Sequence, residues 1–309
     1  MSRDIGLIFP GQGSQCLGML TPDLLSNYKD LIAESSDLLD IDFVKLINEN
    51  PSDKLNQTSF TQPALLLTSY LHFLNFKEIS SLHPLIMAGH SLGEYTALVA
   101  SNSIGFFEAL DLVRNRGLLM ESAPDGSMAA ILGLDVMTLK DICNLEQMNT
   151  GSIVSCANLN SSIQTVIAGN SIAVSNVCNA AKEAGAKRAI ILNVSVPSHC
   201  MLMEEPARLF HEFIDNVDIK EPNTKLIQNF SGDFSDNVEL IKLNLINQLT
   251  GSVKWVNVMN KIKELNLVVI ECGPGKVLQG IGRSNGLSDI LISSNENLKS
   301  NLKDLLWTK

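Results

Sequence analysis

The chain has 309 residues, 45% hydrophobic and 18% charged, a composition typical of a soluble globular protein with one large and one smaller domain. Its formal net charge of −10 repels nucleic acid, so no nucleic-acid partner is expected and any anionic partner must meet a local basic patch. The six cysteines are scattered, without a Cys-X-X-Cys pair or a metal-ligand spacing, which indicates a reducing compartment rather than a disulfide framework.

The apolar runs favour a cytoplasmic protein that does not enter a membrane. Only residues 5–9 form an apolar run between Asp4 and Pro10, and this is too short for the core of a secretory signal peptide. No run approaches the roughly 18 apolar residues of a membrane-spanning helix. We therefore expect a cytoplasmic location and no membrane partner.

Short apolar strands alternate with helical patterns in the first 125 residues. Pro63 lies near the start of a buried helical pattern, and we place it in the first turn, where proline is tolerated. The predicted elements are strands at 5–9 and 85–88, and helices within 20–50 and at 62–76, 94–101 and 106–121. Such alternation predicts a parallel α/β sheet.

From residue 126 the pattern changes to the order β-α-β-β-α-β, which is that of a ferredoxin-like domain. The chain then continues with helices at 201–215, 238–249 and 253–265, a buried strand at 267–273 and a last helix near 274–283. We therefore predict an α/β-hydrolase-like large domain with a parallel sheet, formed by residues 1–125 and 197–309. A ferredoxin-like small domain, residues 126–196, is inserted into it.

The stretch IMAGHSLGEYTALV, residues 86–99, contains the Gly-X-Ser-X-Gly pattern of a strained nucleophile turn. An apolar strand precedes Ser91 and a helix-like stretch follows it, as this turn requires. The pattern alone leaves three interpretations open. Ser91 is a nucleophile that passes an acyl group to water, a nucleophile that holds it for another acceptor, or a loop serine without chemistry.

A nucleophilic serine needs a general base within hydrogen-bond reach, and the neighbouring histidine is a poor candidate. Side chains of adjacent residues diverge at a sharp turn, so we expect His90 to point into the fold. His72 lies in an apolar helical pattern, and His83 is expected at the opposite end of the strand that leads to Ser91.

Two histidines remain as candidate bases. His199 follows a predicted strand end, where α/β sheets assemble their sites, and we favour it over the helical His211. No triad acid is evident between the serine and His199, because the predicted small domain fills most of that interval. A backbone or amide carbonyl can orient the imidazole instead.

Two glycine-rich loops do not fit nucleotide binding. GQGSQ, residues 11–15, has no third glycine at dinucleotide-binding spacing, and GPGK, residues 273–276, lacks both the earlier glycine and the following Ser/Thr of a phosphate loop. Both are typical of tight turns between a strand and a helix. In the first loop, glycines also let a backbone N–H approach a ligand closely.

Together these motifs resemble the malonyl-CoA:acyl-carrier-protein transacylases of bacterial type II fatty-acid synthesis. The resemblance runs nearly end to end, and the combination is far more specific than Gly-X-Ser-X-Gly alone. The matching stretches are FPGQGSQ (9–15), TQPA (61–64), GHSLGEYTAL (89–98), Arg116 in NRG, VPSH (196–199), QLTGSVKW (248–255) and ECGPGKVL (271–278).

The resemblance implies a role for each of seven residues. Ser91 would be the acylated nucleophile and His199 its base, with the backbone N–H groups of Gln12 and Leu92 forming the oxyanion hole. The three others are Gln248, which would offer a carbonyl to the histidine, Gln62, which would line the pocket, and Arg116, which would bind the malonyl carboxylate.

Arg116 also suits this role on chemical grounds, because a planar guanidinium binds a carboxylate through two hydrogen bonds. By itself, the sequence around it favours a solvated arginine beside Arg114 and Glu121, and it is the resemblance that favours the binding role. One departure from the family concerns Ser252, which stands in a region where the family commonly has a proline. This departure concerns the local turn and not the chemistry.

The implied reaction is a ping-pong transfer of malonyl from malonyl-CoA to the phosphopantetheine thiol of holo-acyl-carrier protein. We expect no bound cofactor and no metal, because the phosphopantetheine is carried by the partner, and we expect a monomer. A serine hydrolase and a non-catalytic scaffold subunit are the competing classes. The carrier protein of the family is acidic, so we expect a local basic patch, for which the candidates are Lys187, Arg188, Lys276 and Arg283.

Overall fold

The computed structural model describes residues 4–295 and 297–306, with side chains described to residue 302. Its strands form two sheets. They are β1 (Ile5–Phe9), β2 (Ile86–Gly89), β3 (Ser127–Leu132), β4 (Val154–Ser161), β5 (Gln164–Gly169), β6 (Arg188–Ile191), β7 (Lys225–Ile227), β8 (Phe234–Ser235), β9 (Val268–Glu271) and β10 (Ile290–Ile292).

The helices lie before, between and after these strands. They are α1 (Pro22–Asn27), α2 (Lys29–Leu39), α3 (Phe43–Glu49), α4 (Thr58–Ile79), α5 (Gly93–Ala100), α6 (Phe106–Glu121), α7 (Val136–Thr150), α8 (Ser171–Glu183), α9 (Glu204–Asp215), α10 (Val238–Thr250), α11 (Trp255–Glu264), α12 (Val277–Ser284) and α13 (Leu298–Leu306). None of these helices is long and apolar enough to cross a bilayer.

The larger sheet has the strand order β10-β9-β1-β2-β7-β8, in which β8 is antiparallel to β7 and the other pairs are parallel. β1 and β2 are continuous apolar runs, buried throughout, as strands covered on both faces require. Phe9 pairs with Gly89 at their carboxyl ends. The GQG loop and the GHSLG turn therefore leave the same edge of the sheet side by side.

The smaller sheet is antiparallel, with the order β4-β5-β3-β6. One of its faces packs on α7 and α8 through a separate apolar core. The other face buries Met128 and Val166 against Cys200 and Leu202, which lie just after His199. This contact places the smaller sheet beside the segment that carries the candidate base.

Ser252 makes the turn that joins the two sheets. Its Oγ donates to the carbonyl of Cys156 at 2.6 Å, and the next residue, Val253, exchanges backbone hydrogen bonds with Ala157 and Leu159 of β4. The turn is thus well formed with serine at the position where the resemblance led us to look for proline.

Two details of the predicted elements are wrong. α4 begins at Thr58, so Pro63 lies in its second turn rather than its first, and the Ser59 carbonyl, which proline cannot bond, accepts from Arg114 Nη1 at 2.6 Å. α13 follows the helix that we expected to be the last. The helical pattern of residues 20–50 is confirmed as three helices, with a left-handed residue, Asp40, ending the second.

Three strands, β7, β8 and β10, were absent from the sequence prediction. Each has two or three residues, too few to show an alternating or continuous apolar pattern. They extend the larger sheet at both edges, so this sheet is wider than the sequence indicates.

Candidate active site

The serine lies in a turn that only glycine can flank. β2 ends at Gly89, α5 begins at Gly93, and Ser91 between them has a φ of +51°, in the left-handed region that non-glycine residues rarely adopt. A Cβ on Gly89 would overlap the Gly93 carbonyl, and a Cβ on Gly93 would overlap the carbonyl of Phe9. The close backbone approach on both sides thus explains both glycines of the motif.

The structure brings Ser91 and His199 together. Ser91 Oγ lies 2.8 Å from His199 Nε2, and His199 Nδ1 lies 2.6 Å from the backbone carbonyl oxygen of Gln248. Because a carbonyl only accepts, Nδ1 carries the proton and Nε2 is free to accept from the serine. This carbonyl is available because Gln248 lies in the last turn of α10, where carbonyls lack helical partners.

Burial keeps this imidazole neutral. His199 is 3% exposed, and burial, with a smaller contribution from the positive charge of Arg116, lowers its pKa to about 3. The pair is therefore in the protonation state that general-base catalysis needs at neutral pH.

The other histidines lie away from Ser91 Oγ. His90 is buried, its Nε2 is 2.9 Å from Asn160 Oδ1, and its ring meets Trp255 edge-on with centroids 5.2 Å apart. His211 is exposed on α9 with its Nε2 3.6 Å from Asp215 Oδ2. His72 is buried in α4 and His83 is exposed before β2.

The backbone N–H groups of two residues next to the serine side of this sheet edge have no acceptor among the described residues. They are the N–H groups of Leu92, which begins the turn into α5, and Gln12, in the loop after β1. The Gln12 side chain is held apart from its backbone, because its Nε2 donates to Thr58 Oγ1 at 3.2 Å. Free N–H groups beside a nucleophile are the donors from which an oxyanion hole is built.

Arg116 is buried and not the solvated arginine that its sequence surroundings also allowed. It is 1% exposed on α6, its Nη1 donates to Gln62 Oε1 at 2.9 Å and its Nη2 to Gln248 Oε1 at 3.0 Å. Its Nε has no hydrogen-bond partner in the described part of the chain, and its guanidinium carbon lies 5.4 Å from the centre of the Tyr95 ring. A buried cation hydrogen-bonded to neutral amides retains the capacity to bind an anion.

Gln62 and Gln248 thus act together on the guanidinium. Gln62 Nε2 donates to Met120 Sδ at 3.3 Å, which turns its carbonyl toward Arg116. Gln248 makes four hydrogen bonds at this site. Its backbone oxygen accepts from His199, its Oε1 accepts from Arg116, and its Nε2 donates both to a buried acid and to the backbone carbonyl of the serine. The candidate base and the candidate carboxylate-binding group therefore share one glutamine.

That buried acid, Glu94, was absent from the sequence prediction. It accepts from Gln228 Nε2 at 3.0 Å, from the backbone N–H of Asn229 at 3.0 Å and from Gln248 Nε2 at 2.8 Å. Burial raises the pKa of Glu94 to about 7, while these donors and the charge of Arg116 favour the carboxylate. A lone acid in the otherwise apolar α5 was the signal that could have identified it.

Gln228 and Asn229 carried no such signal. They follow β7, which is too short to be recognised from its pattern, and nothing in the sequence places them near residues 89–94. The pairing of β7 with β2 brings them there.

A cleft of about 340 Å³ opens between the two sheets next to this site. It is lined from the large sheet's side by Gln12, His90 and α12, and from the small sheet's side by Gln164 and Leu192. A second cavity, of about 410 Å³, lies between α6 and α9 and is lined by none of the site residues. The first cleft is therefore the candidate substrate route. The described residues contain no cluster of acid, histidine and cysteine side chains suited to a metal ion.

The buried histidines predict that acid destabilises the fold. Burial lowers the pKa of His72 to about 4, below the value of about 6.5 in an unfolded chain, so between these values the unfolded state binds more protons. Stability is therefore lost as the pH falls through this window, and His72 alone should contribute a loss of about 2 kcal/mol at pH 5. Urea unfolding at pH 7.5 and pH 5 measures this.

The matched variant for that measurement is His72→Leu, which should show a pH dependence smaller by about the same amount. The raised pKa of Glu94 makes the fold more stable as the pH falls from 7 to 4.5, which opposes the effect of His72. This contribution is the same in the wild type and the variant, so it cancels in the comparison. Equal pH dependence in the two proteins would contradict the prediction.

Known proteins resemble the chain over nearly all of its length. The acyl transferase domain family matches residues 7–299. The chain belongs to this family. A malonyl CoA-acyl carrier protein transacylase of Haemophilus influenzae is 41% identical over 287 residues, which cover 90% of this chain and 91% of that protein.

Solved structures agree with this assignment. The malonyl CoA-acyl carrier protein transacylase of Coxiella burnetii has a TM-score of 0.92 and 38% identity, covering 100% of this chain and 99% of that one. A malonyl-transacylase solved in complex with a type II PKS acyl-carrier protein has a TM-score of 0.90 and 37% identity, covering 98% and 99%. The resemblance inferred from the motifs is thus confirmed, and the chain is an acyltransferase with a mixed α/β fold of one mainly parallel and one antiparallel sheet.

Proposed function

We propose that this acyltransferase moves a malonyl group from malonyl-CoA to the phosphopantetheine thiol of holo-acyl-carrier protein, through a malonyl ester on Ser91. The observation that carries the proposal is the buried Arg116, which has no acid hydrogen-bonded to it among the described residues and shares Gln248 with the Ser91–His199 pair. An acyl group that bears a carboxylate would give this guanidinium an anionic partner. The names of the relatives, malonyl transacylases, support the same substrate.

In the first half-reaction His199 Nε2 takes the proton of Ser91 Oγ, which attacks the thioester carbon. The free N–H groups of Leu92 and Gln12 stabilise the oxyanion of the tetrahedral intermediate, where each such donor is worth about 100-fold in rate. The C–S bond then breaks, and the CoA sulfur leaves with the proton from His199. The malonyl group remains on Ser91 as an oxygen ester.

The second half-reaction reverses these roles. His199 accepts the proton of the carrier's thiol, the sulfur attacks the malonyl ester, and Ser91 Oγ leaves with that proton. One thioester replaces another, so the net free-energy change is small and no energy source is consumed. The cleft beside Gln12 and His90 would take the pantetheine arm in both halves.

The competing reaction is hydrolysis, which uses the same nucleophile, base and oxyanion donors. The deciding experiment is intact-mass analysis after mixing with malonyl-CoA and then with holo-carrier protein. A transferase gives a malonyl adduct that persists in water and is discharged by the carrier. An adduct lost to water at the same rate without the carrier would show a hydrolase, and Ser91→Ala is the control that takes up no malonyl.

We also propose that the chain forms two domains of known fold types. The spatial order β4-β5-β3-β6 and the two helices on one face support a ferredoxin-like small domain at residues 126–196. Residues 1–125 and 197–309 would form the α/β-hydrolase-like large domain. The six unpaired cysteines support a reducing, cytoplasmic location.

The carrier's docking surface is proposed to include Lys187 and Arg188, both exposed at the start of β6, with Lys276 and Arg283 exposed around α12. Reversing the charges of Lys187 and Arg188 should raise the apparent KM for an acidic carrier about tenfold at low salt, because it removes attraction at the encounter surface. Initial rates at varied carrier concentration measure this.

The control for charge itself is reversal of the exposed Lys29 and Lys45, on α2 and α3. That double variant should keep the KM for the carrier. If reversal of Lys187 and Arg188 leaves the KM for the carrier unchanged, or if the control reversal changes it equally, these residues are not part of the docking surface.

A further inference from the structure

Asn229 holds the backbone of the nucleophile turn at Ser91 and at Gly89, two residues before it. Its Oδ1 accepts the N–H of Ser91 at 2.6 Å, and its Nδ2 donates to the carbonyl of Gly89 at 2.6 Å. The side chain is fully buried, so both hydrogen bonds are shielded from water. One amide therefore satisfies the backbone donor of the strained residue and the backbone acceptor two residues before it.

The remaining backbone N–H groups of the turn show what this amide accomplishes. The N–H of His90 donates to Phe9 O at 2.9 Å, and that of Gly93 donates to the carbonyl of His90 at 2.9 Å. With the Ser91 N–H bound to Asn229, the N–H of Leu92 is the one within residues 90–93 that stays free. Asn229 thus occupies one donor and leaves the next available to a reacting oxygen.

Two hydrogen bonds to the backbone of Asn229 hold this residue in place. Its N–H donates to Glu94 Oε2 at 3.0 Å, and its carbonyl accepts from the N–H of Lys254 at 2.9 Å. The same Glu94 oxygen accepts from Gln248 Nε2. One carboxylate therefore holds both Asn229, which binds the serine backbone, and Gln248, whose carbonyl binds the histidine. These contacts fix the amide plane with its oxygen toward Ser91.

We propose that Asn229 is a positioning residue of the transfer reaction, which holds Ser91 in its left-handed conformation and leaves the N–H of Leu92 free for the oxyanion. The inference rests on the proposed function, because it concerns the rate of Ser91 acylation. Asn229 acts through the turn and does not touch the reacting atoms.

Asn229→Asp tests the proposal, because the variant replaces only the amide nitrogen and its effect can be reversed by pH. The ionised carboxylate of this variant accepts from the Ser91 N–H but repels the Gly89 carbonyl, whereas the protonated carboxyl can donate an O–H to that carbonyl. At pH 8.5 we expect Ser91 to be malonylated about 100-fold more slowly than in the wild type, with apparent malonyl-CoA affinity changed less than about threefold. As the pH falls to 5.5, the ratio of variant to wild-type rate should rise about tenfold.

Single-turnover malonylation, followed by intact mass over this pH range, gives both quantities, and circular dichroism gives the folded fraction. Asn285→Asp is the matched control, because Asn285 is also buried and its Nδ2 donates to two backbone carbonyls, those of Asn160 and Ile281. The control should keep a variant-to-wild-type ratio that is near one and flat with pH.

The outcomes separate this inference from the proposed function. Wild-type protein that takes up no malonyl group would contradict the proposed function itself. A wild type that is malonylated, with Asn229→Asp equally fast or slowed only in proportion to its unfolded fraction, would overturn the positioning role alone. Should Asn229→Asp not fold, Asn229→Ala provides the same comparison, with slow malonylation at every pH supporting the role and a wild-type rate refuting it.

Discussion

Replacement of His199 by alanine should slow malonylation of Ser91 by about 10³-fold or more. The imidazole is the group whose nitrogen lies within hydrogen-bond distance of the serine oxygen, and its low pKa keeps it neutral and able to accept the proton. Without it, the hydroxyl must lose its proton to water while the oxyanion donors remain. Mixing with malonyl-CoA and stopping at timed intervals for intact-mass analysis measures the rate.

His90→Ala is the matched control for that experiment, because His90 is also a buried histidine next to the turn. Its contacts with Asn160 and Trp255 predict a loss of stability of about 1–3 kcal/mol. Because His90 also lines the cleft, the malonylation rate is compared at saturating malonyl-CoA on folded protein, where it should stay within a fewfold of the wild type. Full activity in His199→Ala, or a greater loss in His90→Ala, would reverse the assignment of the base.

Arg116→Ala should reduce kcat/KM for malonyl transfer by about 100-fold or more, with a much smaller effect on acetyl transfer. Under the proposed function, the malonyl carboxylate would lose its charge-assisted hydrogen bonds, whereas an acetyl group would never form them. Alanine also leaves Gln62 and Gln248 without their shared donor, so a modest loss is expected for both acyl groups. The ratio of the two kcat/KM values therefore isolates the carboxylate contact.

Arg114→Ala is the control for that measurement. Arg114 lies on the same helix, but it caps the Ser59 carbonyl and lies over the ring of Phe60. Its removal should lower the free energy of unfolding by about 1 kcal/mol and leave the malonyl-to-acetyl ratio unchanged. Equal losses of malonyl and acetyl transfer in Arg116→Ala would exclude Arg116 as the carboxylate-binding group.

The sequence was sufficient to predict those features that depend only on neighbouring residues. The run IGLIF predicted β1, and the apolar run before Gly89 predicted β2, because a strand buried on both faces must be apolar throughout. The two glycines of the turn were recognisable because their spacing reflects close backbone approach. The β-α-β-β-α-β order predicted from residue 126 onward is the order that the structure shows for β3 to β6 with α7 and α8.

Contacts between residues far apart in the chain could not be predicted from the sequence pattern. Asn229 reaches Ser91 across 138 positions, and it does so from just after a strand, β7, of three residues. Glu94 was visible only as one acid in an apolar helix, and its partners come from residues 228–248. Such pairings depend on which strands become neighbours, and strand order is set by packing of the whole sheet.

The sequence by itself determined the nucleophile turn, the alternation of strands and helices, and the family. These features depend on residue type and spacing, which the chain carries directly. Only the tertiary structure decided that His199 meets Ser91, that Arg116 is buried, and that Gln248 serves both. The physical reason is that burial and hydrogen-bond partners are properties of the folded core, where distant segments exclude water from the same small volume.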